Sequence, residues 1–164
     1  MKSSLRRPPG LSAVALLLTA VACSAPGGPA APAAPTPPAA EAALCRALHK
    51  ELPGTVDGRE RHDPVPASDF TAAWGSRPAI VLRCGVPKPE LLQRNPGADA
   101  AEINGVDWLP EKQSDGSVRC TTTLREAWVE VTLPKQVTGD AGDIGALTDL
   151  ADAVKKTIPE GIIS

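Results

Sequence analysis

The first 40 residues of this 164-residue chain contain little that can pack into a hydrophobic core. Residues 1–22 combine a positively charged start, a short apolar stretch and a small-residue end, which is typical of an export signal peptide. Residues 23–40 are mainly Ala, Pro and Gly, and their prolines favour an extended tether that could reach roughly 50 Å. We therefore predict a single globular domain at 41–164, long enough to bury about two-thirds of its unfolded surface.

Cys23 directly follows the predicted signal peptide and is preceded by the small residues Ala20-Val21-Ala22. A cysteine at this point is where bacterial lipoproteins are cleaved and acylated. We predict lipidation of Cys23 and a membrane anchor at the outer face of the cytoplasmic membrane. The alternative is a freely secreted protein, because Ala20-Val21-Ala22 also fits the A-x-A site of ordinary signal peptidase.

The charge of the mature chain argues against nucleic acid as a partner. Removing Lys2, Arg6 and Arg7 from the 17 basic residues leaves 14 against 19 acidic residues, a net charge of −5, and phosphate backbones bind to positive surfaces. The sequence contains no H-E-x-x-H, P-loop, G-x-S-x-G or G-x-G-x-x-G motif. We therefore predict no catalytic residue, no metal site and no cofactor.

Hydrophobic patterning indicates a mixed fold. Strands are predicted at 79–84, 106–111, 118–124 and 128–133. Helices are predicted at 41–52 and 143–158, a one-turn helix at 89–94, an exposed loop at 54–68 and a helical turn at 68–74. We predict an α+β fold, in which a small antiparallel sheet of about four strands carries the N- and C-terminal helices on one face.

The cysteines suggest one disulfide. Export from the cytoplasm permits disulfides, and an acylated Cys23 leaves Cys45, Cys84 and Cys120. Cys120 has the inward phase of its strand, where a thiol behaves as a small apolar side chain, so we predict a bond between Cys45 and Cys84. If Cys23 is not acylated, four cysteines allow three pairings.

Trp128 has the outward phase of the last predicted strand. An exposed tryptophan beside charged groups is typical of a binding hot spot. We predict that Trp128, together with Arg119 and Glu130, marks an interaction surface. The alternative is that the segment 88–104 covers the Trp128 ring.

Several spaced motifs resemble one known family over about residues 44–158. They are Ala73-Trp74-Gly75, Leu82-Arg83-Cys84-Gly85-Val86-Pro87, Gly105-Val106-Asp107-Trp108 and Val129-Glu130-Val131 before Pro134. The chain resembles an actinobacterial family of secreted lipoproteins known only as a domain of unknown function, DUF3515. The resemblance implies that Cys45 and Cys84 are the family's paired positions, and it implies no activity, substrate or cofactor.

Two hypotheses of function follow. The first is a non-catalytic cell-envelope lipoprotein that serves as a binding or accessory module for a protein partner or wall component. The alternative is an extracytoplasmic enzyme with an unrecognised active site. An enzyme would be favoured if Trp74, Trp108, Arg83 and His62 converged on one concave, polar pocket, and a scattered arrangement would favour the binding module.

Overall fold

The computed structural model describes residues 33–161, so the predicted signal peptide and Cys23 lie outside the described residues. The strands are β1 (Thr55–Val56), β2 (Arg59–His62), β3 (Thr71–Trp74), β4 (Ile80–Cys84), β5 (Ala101–Ile103), β6 (Val106–Lys112), β7 (Val118–Thr122) and β8 (Val129–Leu133). The helices are α1 (Ala39–Glu51), α2 (Glu90–Arg94), α3 (Lys135–Thr138) and α4 (Thr148–Thr157), and a 3-10 turn at Gly145–Leu147 precedes α4.

Within residues 33–161 the strands form one eight-stranded antiparallel sheet in the order β1-β2-β3-β4-β8-β7-β6-β5. The four segments that sequence patterning predicts as strands correspond to β4, β6, β7 and β8, and these are adjacent in the middle of the sheet. Additional strands extend the sheet on both sides of that centre.

The predicted fold of a small sheet of about four strands with flanking helices is therefore wrong. The predicted loop at 54–68 contains β1 and β2, whose side chains are mostly polar because they lie at the edge of the sheet. The predicted helical turn at 68–74 contains β3, in which all four side chains are buried, so no alternation marks it as a strand. β5 is only three residues long and gives no clear pattern in the sequence.

The pleat of the sheet separates two faces with different chemistry. On β4, Ile80, Leu82 and Cys84 are buried on the face that we call the helix face. The cross-strand register places Val131 of β8 opposite Leu82, and Cys120 of β7 opposite Val131. This face is therefore a continuous apolar surface across the centre of the sheet.

Helices α1 and α4 contact each other and cover the helix face. Leu48 of α1 and Leu150 and Val154 of α4 are fully buried in the same cluster as the inward side chains of the strands. The α4 helix begins at Thr148 instead of the expected Asp143, because Asp143 Oδ1 accepts a hydrogen bond from Gly145 N (2.8 Å) in a turn before the helix.

A disulfide joins α1 to the centre of the sheet. It connects Cys45 to Cys84 of β4, with the two Cα atoms 5.5 Å apart, a separation that suits a disulfide. The chain just before α1 also packs on the domain, because Pro35 is buried and Pro37 contacts Gly85. Gly85 has a positive φ of 81° and no side chain, which allows this close approach.

No helix in the described part of the chain has both the length and the apolar character required to cross a bilayer.

The disulfide yields a prediction about stability. Cys45 and Cys84 are 39 positions apart, and closing a loop of that length restricts the unfolded chain by about 4 kcal/mol. The double variant Cys45→Ala/Cys84→Ala should lose about that much free energy of unfolding in urea. Its stability should no longer respond to dithiothreitol.

Cys120→Ala is the matched control, because Cys120 is buried in the same cluster but is not part of the disulfide. This variant should lose only about 1 kcal/mol and should keep the sensitivity of the wild type to reduction. A Cys120→Ala protein that no longer responds to dithiothreitol would show that the pairing is different.

Candidate binding groove

The sheet face opposite the helices carries charged side chains at its centre. Arg83 of β4 lies directly opposite Glu130 of β8, and Arg119 of β7 lies directly opposite Glu111 of β6. These residues alternate with the apolar side chains of the helix face, so the strand pleat directs them to the other side. The same alternation that builds the core therefore creates a charged surface.

Each of these cross-strand pairs is an ion pair. Arg83 Nη1 donates a hydrogen bond to Glu130 Oε1 at 3.1 Å. Arg119 donates from Nε and Nη2 to a single oxygen, Glu111 Oε2, at 3.3 and 3.1 Å. Thr121 lies opposite Glu130 on the next strand and is itself buried. The positions of both guanidinium groups are thus defined by the register of the sheet.

The segment 86–94, which includes α2, lies beside these pairs and forms with them a groove of about 320 Å³. We call this site the Arg–Glu groove. Its lining residues are Arg83, Val86, Pro87, Pro89, Glu90, Arg94, Glu111, Arg119, Thr121 and Glu130. At the rim, Arg94 and Glu90 are 3.8 Å apart and both are well exposed.

Trp128 packs against the segment 86–94, which forms one wall of the groove. Its ring is only 7% exposed and packs in a small second cluster with Val86, Leu92 and Leu109. Val86 and Leu92 belong to the segment that forms the wall, whereas Leu109 belongs to β6. The structure therefore corrects the prediction of an exposed hot spot at Trp128, because a segment within 88–104 covers the indole.

The other two residues of the predicted interaction surface, Arg119 and Glu130, both line the Arg–Glu groove. The predicted interaction surface did not include Arg83 and Glu111, which complete their ion pairs. Alternation alone could have placed Arg83 on the outward face of its strand. Its pairing with Glu130 depends on a contact 47 positions apart, and the strand order is needed to find it.

The residues that would have favoured an enzyme do not converge. Trp74 and Trp108 are fully buried in the main core, and Arg83 lies on the opposite face in the groove. His62 lies on β2, where its Nε2 atom is 2.6 Å from Gly75 O. These four residues are therefore scattered and do not share a pocket, an arrangement that favours the binding-module hypothesis.

Cys120 is also poorly suited to nucleophilic chemistry. It is a free cysteine buried in the main core, and this burial raises the pKa of its thiol to about 12. The thiol is therefore protonated at neutral pH, and the protonated form is the unreactive one. Within residues 33–161, no three His, Cys, Asp or Glu side chains are grouped so that they could hold a metal ion.

The buried position of Trp128 can be tested by fluorescence. Subtracting the emission of a Trp128→Phe variant from that of the wild type isolates the contribution of Trp128. Since the ring is covered by Leu92 and Val86, the difference spectrum should be blue-shifted and protected from acrylamide. A red-shifted difference spectrum that acrylamide quenches freely would contradict the described packing.

Comparison with known proteins identifies a family. The model of a family described as "Protein of unknown function (DUF3515)" matches residues 10–163. No protein of curated function matches the chain, and no solved structure matches it.

Proposed function

We propose that this chain, which belongs to the DUF3515 family, is a non-catalytic lipoprotein of an actinobacterial cell envelope. In this proposal Cys23 carries the lipid, and the Arg–Glu groove binds a partner protein or wall component. The observation that carries the proposal is the pair of part-buried Arg–Glu bridges on the open sheet face.

The chemistry of the groove supports binding more than catalysis. Its charged groups are tied to one another in pairs, and Thr121, the hydroxyl among the lining residues, is buried. Such groups can accept and orient a ligand through hydrogen bonds and ion pairs. A nucleophile with an adjacent base, which a covalent mechanism needs, is not among the lining residues described here.

The position of the tether also supports this role. Pro37 contacts Gly85, and Val86, which follows Gly85 in the chain, lines the groove. The eleven residues between Cys23 and Pro35 can span roughly 35 Å when extended. An acylated Cys23 would therefore keep the groove near the bilayer, within reach of other membrane-associated proteins.

The lipid anchor is testable by fractionation of cells that express the full chain. Wild-type protein should sediment with the membrane, because two or more acyl chains give stable anchoring at about 0.8 kcal/mol for each buried CH₂. Cys23→Ser should release the protein or block its processing, whereas Cys120→Ala should remain with the membrane. Soluble wild-type protein that begins with an unmodified Cys23 would contradict the anchor.

The binding role is testable by site-specific crosslinking in the native envelope. A photo-crosslinking amino acid replaces Glu90 at the rim of the groove or, as a matched control, Asp152 on α4. Both side chains are 83% exposed, but they lie on opposite sides of the sheet. The Glu90 position should give a discrete crosslinked species that the Asp152 position does not give.

Equal crosslinking from both positions, or none from either, would contradict a role for this groove in binding. A third variant adds Glu130→Gln to the chain that carries the crosslinking residue at position 90. This substitution weakens the bridge to Arg83 but leaves the rim of the groove unchanged. The specific crosslink should then decrease.

A further inference from the structure

The two bridges in the Arg–Glu groove are asymmetric in their exposure. The side chain of Arg83 is 27% exposed and that of its partner Glu130 only 13%. The side chain of Arg119 is 39% exposed and that of Glu111 only 18%. In both pairs the arginine is the more exposed partner, so a ligand in the groove has better access to the arginine side chains than to the glutamates.

These guanidinium groups retain unused hydrogen-bond donors. A guanidinium has five N–H donors and no acceptor. The bridge to Glu130 uses only Nη1 of Arg83, which leaves Nη2 without a hydrogen bond among the described residues, whereas Nε is buried and closed to a ligand. Arg119 directs Nε and Nη2 to one oxygen of Glu111. Its Nη1 has no hydrogen-bond partner among the described residues and is therefore available to a ligand.

The spare donors indicate which ligand chemistry fits. Guanidinium forks form bidentate pairs with the oxygens of carboxylates and phosphates. The three arginines that line the groove are matched by three glutamates, Glu90, Glu111 and Glu130. Because the groove is formally neutral, it suits a singly charged carboxylate better than a multiply charged phosphate.

The remaining lining residues favour a peptide over a sugar polymer. Among residues 33–161, none that lines the groove has an aromatic ring on which a sugar could stack. Val86, Pro87 and Pro89 form one side of the groove and provide an apolar surface for an extended chain. Both properties fit a short acidic segment of a protein.

We infer that the Arg–Glu groove binds a carboxylate-bearing segment of a partner protein, with Arg83 and Arg119 contacting the carboxylate. This inference rests on the proposed function and specifies the ligand of the same site. Glu130 and Glu111 act as positioning residues, because each holds its arginine in place through a bridge and is itself the more covered member of the pair.

The test is an NMR titration of the full chain, released from the membrane in detergent, with two blocked tripeptides. One is N-acetyl-Ala-Glu-Ala-amide and the other is N-acetyl-Ala-Gln-Ala-amide, which differ in a single carboxylate. The acidic peptide should shift the Nε–H signals of Arg83 and Arg119 and bind roughly 10-fold or more tightly than the neutral one. This comparison uses only the wild-type protein and so does not depend on the folding of any variant.

Variants then separate the roles of charge and geometry. Arg83→Gln and Arg119→Gln should each weaken binding of the acidic peptide by roughly 10- to 100-fold. Arg83→Lys should remain weak, because lysine keeps the charge but lacks the planar fork. Arg46→Gln is the control, since Arg46 pairs with Asp69 at 3.8 Å away from the groove, and the affinity of this variant for the acidic peptide should be unchanged.

Equal binding of the two peptides would overturn the inference, as would stronger binding of inorganic phosphate or of a soluble wall glycan fragment. Full rescue by Arg83→Lys would also overturn the proposed geometry. These outcomes differ from failure of the proposed function. A groove that crosslinks a partner through Glu90 but does not distinguish the peptides refutes only the carboxylate inference, whereas loss of the specific crosslink refutes the binding role itself.

Discussion

Alternation of side chains along the central strands determines both the core and the candidate site of this protein. On β4, Leu82 and Cys84 point toward the helices, and Arg83 between them points to the other face. The register of β4 with β8 aligns Arg83 with Glu130 in the same way that it aligns Leu82 with Val131. A shift of one residue in that register would place an arginine in the core, so stability and the groove depend on the same pairing.

The bridges of the groove contribute little to folding by themselves. A cross-strand pair of opposite charges stabilises a sheet by roughly 0.2–1 kcal/mol, and removing water from part-buried charges offsets part of that gain. Apolar residues at these positions would be compatible with a stable sheet, as Leu109 and Trp128 show on the same face. The proposed binding role would account for these charges, with Arg83 and Arg119 contacting the ligand and Glu130 and Glu111 positioning them.

The sequence predicts the centre of this fold better than its edges. Strands β7 and β8 alternate clearly, and β4 begins with the apolar run Ile80-Val81-Leu82, so local pattern identifies them. The polar strand β2, which lies next to the edge strand β1, resembles a loop, because the outer part of a sheet does not need apolar side chains on both faces. β3 is buried at every position and therefore lacks the period of two that would reveal it.

The candidate site was only partly predictable for a related reason. Phase along a single strand places Arg119 and Glu130 on the open face, and both line the groove. The same phase places Trp128 there, but a segment that returns over the sheet covers it with Leu92 and Val86. Long-range coverage and strand order are tertiary properties, so neither the burial of Trp128 nor the partners of the two arginines follows from local pattern.

The most direct test of the account is to exchange the charges of one bridge. The double variant Arg83→Glu/Glu130→Arg keeps an ion pair between β4 and β8 but presents the carboxylate in place of the guanidinium. The account predicts a melting temperature close to that of the wild type and loss of the partner crosslink from the Glu90 position. A crosslink of wild-type intensity in this folded variant would contradict the claim that the groove binds its partner through outward-facing arginines.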